Sequence, residues 1–327
     1  MKRFALVGLG IHVLIMGISV AMPAHAQNSP QNVTPTAKTS AGDVNTFMKN
    51  VRYHLTDRIA VDITTLAGTL TPKPDQMVVL DDKQSFIIDI DSASARLTAT
   101  SLTNDLNDFV FAAHDAPLKK LSASIHGDQF SVKGLLASKG DIPFEITGTL
   151  IVTPEGVIRV HTTSVKALHL PVKGLMDMLG LDTAKLLNTK KVEGVSVDKD
   201  DLILEPEVIL PPPRFRGHLS SIKVENGEIA LTFTPQAGRE NHSALKNSCG
   251  VRNYIQFEGG TVRILRLTMA DADVTLADAN PADPFDFSMN HYKEQLVAGY
   301  TKMMPQGGLC VYMSAYDKIK SHARPPK

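Results

Sequence analysis

The side chains with the means to do chemistry are dispersed along this sequence. His54, His114, His126, His161, His169, His218, His242, His291 and His322 show neither H-E-x-x-H nor another spacing that would bring imidazoles together as metal ligands. A serine nucleophile on a strand-to-helix elbow needs G-x-S-x-G, and the chain has none. S-x-x-K begins at Ser196, Ser220 and Ser243, but neither S-D-N nor K-T-G accompanies it, so the three scattered matches define no active site. Hard oxygen ligands gather from Asp278 to Asp286, as calcium requires, yet the glycine at loop position six and the closing glutamate of an EF-hand are missing. A proline-rich turn capped by aspartate is the expected structure there. Among 34 acidic residues a carboxylate pair for glycoside hydrolysis can be drawn almost anywhere, and spacing selects none. The expectation is a protein that is not an enzyme, with no catalytic residue, no metal site and no cofactor.

Cys249 and Cys310 are the only cysteines. They lack the C-x-x-C spacing of a redox centre; in an exported chain they are candidates for one disulfide, the alternative being two buried thiols. Export itself is read from the N-terminus. Lys2 and Arg3 precede an apolar run from Phe4 to Val20 and the A-x-A sequence Ala24-His25-Ala26, the order of a cleavable signal peptide. The run approaches the length of a membrane anchor, but Pro23 and the small residues after it favour cleavage. Residues 1–26 are therefore expected to be removed, leaving a soluble periplasmic or otherwise exported protein. The 34 basic and 34 acidic residues balance, and loss of Lys2 and Arg3 leaves a slight acidic excess. Such a chain lacks the basic footprint of a nucleic-acid partner. An apolar fraction of 43% provides for a substantial core and excludes disorder of the whole chain.

The elements are mostly strands. Residues 27–50 read as a flexible leader, polar from Gln27 to about Asp43. Ile59, Val61 and Ile63 alternate with Ala60, Asp62 and Thr64, and Phe86, Ile88 and Ile90 with Ile87, Asp89 and Asp91; the apolar phase then moves to Ala93, Ala95 and Leu97, as an inserted bulge residue would require, and so predicts a curved sheet. A helix is predicted over Ser101–Phe111, capped by Thr100 or Ser101, with Leu102, Leu106, Phe109 and Val110 on one stripe. Four strands of a meander follow between Leu118 and Val160, with turns rich in glycine and proline. Pro171 to Gly180 reads as a second helix with Val172, Leu175, Met176 and Leu179 on one face, and Asp182 caps a short third through Asn188. Strands near Val195 to Leu204, a helical turn at Pro206, and a hairpin at Asn226-Gly227 complete the stretch. Beyond it, strands are expected at Tyr254–Phe257, Thr261–Met269 and Asp273–Leu276, and a helix from Met289 to Lys302. The domains expected are a signal peptide at 1–26, a leader at 27–50, a core at 51–236 and a strand-and-helix extension at 237–327.

Asp105-Leu106-Asn107-Asp108-Phe109-Val110-Phe111, Ile142 to Leu150, Leu170 to Asp177 and Asp201-Leu202-Ile203-Leu204 resemble the LmeA-like group of exported bacterial proteins, placed in the tubular lipid-binding (TULIP) superfamily. The likeness runs from about Arg58 to Pro235 and rests on structural rather than catalytic motifs. It implies an α+β fold in which a long, strongly curved antiparallel sheet wraps around short amphipathic helices, followed here by a C-terminal β-rich extension. It also implies a phospholipid or similar acyl-chain lipid as partner, with transient contact at a membrane surface. The lining residues expected on that basis are Leu106, Phe109, Val110, Phe130, Phe144, Ile146, Leu150, Leu175, Met176 and Leu179, with Lys173 beside a lipid phosphate. Two other readings compete: a dry-cored interaction module of the envelope, and a lipid or glycan hydrolase.

Overall fold

The computed structural model describes residues 42–137, 141–167, 192–198, 201–235, 249–305 and 307–322. Among them the strands are β1 Val44–His54, β2 Ala60–Pro72, β3 Val78–Val79, β4 Phe86–Thr98, β5 Leu118–His126, β6 Gln129–Ala137, β7 Asp141–Val152, β8 Ile158–Ala167, β9 Val195–Asp198 and β10 Asp201–Leu204. They continue with β11 Arg214–Glu225, β12 Glu228–Thr234, β13 Tyr254–Ile264, β14 Leu267–Asp278, β15 Phe285–Ser288, β16 Tyr300–Met303 and β17 Leu309–Met313. The helices are short: α1 Ala99–Asp105, continued by a π-helical turn Leu106–Val110, then α2 Pro206–Ile209, α3 Tyr292–Val297 and α4 Tyr316–His322. Of the described residues 60% are strand and 12% helix, so the fold is broadly α+β, with the sheets carrying the core, and antiparallel strands curl into a half-barrel.

The described strands form two sheets rather than one. The larger follows the order β11-β12-β4-β2-β1-β13-β14-β17-β16, with β15 and β3 attached to β1 and β13; the smaller follows β5-β6-β7-β8-β10-β9. The larger sheet is not purely antiparallel: β1–β15, β11–β4, β13–β3 and β14–β17 are parallel pairs. Strand β1 begins at Val44, inside the stretch read as leader, and strands from residue 254 onward belong to the same sheet as β1, β2 and β4. Val51, Ile63, Leu66, Ile255, Phe257 and Phe285 meet in one buried cluster of this sheet.

The bulge expected in β4 is present. Ser92 lies opposite Ala67 and Ile90 opposite Gly68, so Asp91 is the extra residue, and the buried set passes from Phe86, Ile88 and Ile90 to Ala93, Ala95 and Leu97 across it. The β11–β12 hairpin turns at Asn226 and Gly227, both at positive φ (52° and 78°), as a two-residue type I′ turn demands. Cys249 and Cys310 are joined in a disulfide, with Cα atoms 5.9 Å apart.

Three predicted elements are corrected. The run Thr261–Met269 is not one strand but the β13–β14 hairpin, turned at Leu265 and Arg266 with Leu265 at φ 54°; neither residue is a usual turn former, so no composition signal marks the turn. The helix expected from Met289 to Lys302 is limited to Tyr292–Val297. Gly299 follows it, and Tyr300–Met303 instead pairs with β17, where strand hydrogen bonding outweighs helix propensity. Helix α1 starts two residues earlier than expected, because Thr98 is its cap: its backbone is extended and its Oγ1 accepts from the Ser101 N–H at 3.1 Å. The helices predicted at 171–180 and 182–188 lie outside the described residues.

Candidate functional site

The sequence places α1 directly after β4, and polar side chains fix it to both sheets. On one side, Ser101 Oγ accepts from Ala60 N at 3.2 Å, and Arg58 binds Asn104 Oδ1 at 2.6 Å and Asp108 Oδ2 at 2.8 Å. On the other, Thr103 Oγ1 accepts from Ala123 N at 2.9 Å. Asn107 donates to Leu121 O at 2.7 Å and accepts from Leu121 N at 2.9 Å. Strand β5 is the edge of the six-stranded sheet, and its register shifts between Lys119 and Ser122, with Lys120 at φ 50°. Asn107 therefore supplies a strand-like pair of hydrogen bonds where the ladder is interrupted, which covers an otherwise exposed edge.

Held in this way, α1 and its π-helical turn form one wall of a cavity of about 210 Å³. From the helical side come Leu102, Asp105, Leu106, Val110 and Phe111. The six-stranded sheet contributes Leu121, Phe130, Val132, Phe144, Ile146 and Leu150, together with Val160 and Leu202 further along. Leu97, Ile222, Ile229 and Leu231 enter from the larger sheet, and Pro206, Ile209 and Leu210 from α2 and its end. Gly148 of β7 lies where β8 carries an extra residue, Thr163; a Cβ on Gly148 would stand 2.5 Å from the His161 carbonyl oxygen, so the wall needs a glycine for the strands to approach.

Asp105 is the only titratable side chain on the described walls. It is fully buried, and neither carboxylate oxygen has a hydrogen-bond partner. Burial, and to a lesser degree the neighbouring Asp108 charge, push its pKa up to about 7. Histidines meet acids elsewhere, none of these groups being on the described cavity walls: His54 with Asp286 at 2.6 Å, His161 with Asp201 at 3.0 Å, and His291 with Asp57 at 3.1 Å and Glu294 at 3.9 Å. Among the described residues no three His, Cys, Asp or Glu side chains gather as a metal site. In the acidic stretch, Asn280 N donates to Asp278 Oδ1 at 2.8 Å and Asn280 Nδ2 to Asp283 Oδ1 at 3.0 Å, an aspartate-capped turn.

Of the expected lining residues, Leu106, Val110, Phe130, Phe144, Ile146 and Leu150 meet around this cavity. Phe109 does not; Phe111 takes its place. The Phe111 N–H donates to Leu106 O at 2.9 Å, a five-residue step that widens the turn and moves the apolar stripe along the chain. Lys173, Leu175, Met176 and Leu179 lie outside the described residues. Asp105 was not among the expected residues, although it stands three positions after Leu102 and hence on the apolar stripe, which is the signal that marks it. No family model, curated protein or solved structure matches the chain.

Proposed function

We propose that this is an exported, periplasmic protein that binds phospholipid or another acyl-chain lipid between the α1 segment and the curved six-stranded sheet, in a TULIP-like arrangement, and that it carries lipid or assists envelope maintenance. The observation that carries the reading is the cavity itself: about 210 Å³ lined by aliphatic and aromatic side chains from both sheets and from a helix held in place by polar anchors. Burying an acyl chain there gains about 0.8 kcal/mol per methylene, while the head group stays in water. A hydrolase needs several polar groups converging on substrate, and Asp105 alone supplies none of the partners a general acid or nucleophile requires. The disulfide fits an oxidising compartment, and no helix among the described residues is long and apolar enough to cross a membrane.

A second reading, a non-catalytic interaction module, is favoured by a different observation. Leu265, Leu267, Val297, Tyr300 and Met303 are exposed large apolar side chains within residues 237–327, with Val297 at 85% and Met303 at 66% exposure. Native mass spectrometry of protein purified after export, followed by organic extraction, separates the two. Lipid bound near one per chain, and reduced in a folded Phe144→Asp variant, is the result expected of a lipid-binding cavity. A protein that stays free of lipid after incubation with phospholipid vesicles overturns it and leaves the interaction module.

A further inference from the structure

An unpaired acid in an apolar cavity calls for an account. Asp105 has no exposed surface, lies on the cavity wall, and has two carboxylate oxygens without a partner. Such a group costs free energy in the empty protein unless something enters to meet it. No described lining residue is a cation, so nothing on these walls compensates a charge. Arg58, which is bonded to this helical segment, is engaged by Asn104 and Asp108 at the surface instead.

We propose that Asp105 is a hydrogen-bonding anchor for a lipid hydroxyl, so that the cavity selects an apolar skeleton carrying an alcohol over the same skeleton without one. This rests on the reading of the cavity as a lipid site. In its protonated form the carboxyl offers one O–H donor and an acceptor oxygen, the pair that a hydroxyl answers with its own acceptor and donor. A phosphate or fatty carboxylate is repelled by the charged form and leaves its own charge unpaired beside the neutral form. An ammonium would have to be stripped of water to reach it, at a cost that a single ion pair does not reliably offset. The hydroxyl has two sources: the head of a long-chain alcohol, or a substituent along an acyl chain.

The test uses delipidated protein loaded with 1,6-diphenylhexatriene, an apolar fluorophore, and measures displacement in two arms. One compares 1-dodecanol with dodecane, the other 12-hydroxystearate with stearate. In at least one arm the ratio of midpoints should favour the hydroxylated probe, and Asp105→Leu should reduce that preference roughly tenfold, the size of one net buried hydrogen bond. Asp105→Asn keeps hydrogen-bonding capacity and should retain most of the preference, which guards against a folding defect in the leucine variant. The arm that responds identifies where the hydroxyl lies. If diphenylhexatriene binds but Asp105→Leu leaves both ratios unchanged, the anchor is overturned and water or nothing meets the acid. If neither diphenylhexatriene nor any of the probes binds, the lipid cavity itself fails, and the anchor with it.

Discussion

Asn107 pairs with Leu121 as one strand residue pairs with another, its side-chain amide giving 2.7 Å to the carbonyl and taking 2.9 Å from the N–H. A residue of a helical turn thereby completes the edge of a sheet at the one place where the β5–β6 register shifts. The cavity wall depends on this join.

Replacing Asn107 by Ala leaves both backbone groups of Leu121 without a protein partner. The expected loss is about 2–3 kcal/mol of unfolding free energy, read by chemical denaturation. A loss under about 0.5 kcal/mol would mean that water substitutes fully and that the helix is held by other contacts.

Asp105 predicts a dependence of stability on pH with a definite sign. Its pKa is raised from 3.8 to about 7 in the folded protein, so the folded state keeps a proton that the unfolded state has lost between those values. Stability due to this group is fully present below about pH 4, falls as pH rises through about 7, and is level above it, a total of roughly 4 kcal/mol. The difference in stability between wild type and Asp105→Asn should follow that course when both are unfolded at intervals from pH 4 to pH 8. A flat difference would show that the carboxyl is solvated or paired.

The disulfide closes 61 residues of sequence separation between Cys249 and Cys310. Replacing both by Ala should cost up to about 4 kcal/mol through the freed unfolded chain. Reductant should lower the denaturation midpoint of wild type to that of the double variant and leave the variant unmoved.

Gly148→Ala should destabilise by about 1–3 kcal/mol, because its Cβ meets the His161 carbonyl of β8 at 2.5 Å and the strands must separate. Thermal denaturation measures this. Gly127→Ala is the comparison, since a Cβ there meets nothing within 4 Å; its positive φ of 62° still adds modest backbone strain.

Much of this architecture is legible in the sequence because strand faces repeat every second residue. That pattern put Phe144 and Ile146 on one face of a strand, while their place at the site, with Phe130, was implied by the resemblance; the phase change after Ile90 located the β4 bulge. What stayed hidden has physical causes. The π-helical turn exchanges Phe109 for Phe111, and no residue type announces it. The β13–β14 turn uses Leu265 and Arg266 where glycine or asparagine is usual. The parallel pairing of β14 with β17 and the division into two sheets are long-range choices that local periodicity does not encode. Asp105 reads as one more surface acid until the walls around it are in place.

In the proposed function an acyl chain occupies the space between the α1 segment and strands β6 and β7. Photocrosslinking with a phospholipid carrying a diazirine in its acyl chain, followed by peptide mapping, tests it most directly. Adducts on peptides containing Leu102 to Phe111, Phe130 to Val132 or Phe144 to Leu150, diminished by excess unlabelled phospholipid, are the predicted result. Adducts confined to the exposed Leu265–Leu267 and Val297–Met303 surface, or none above a non-binding control protein, would contradict it.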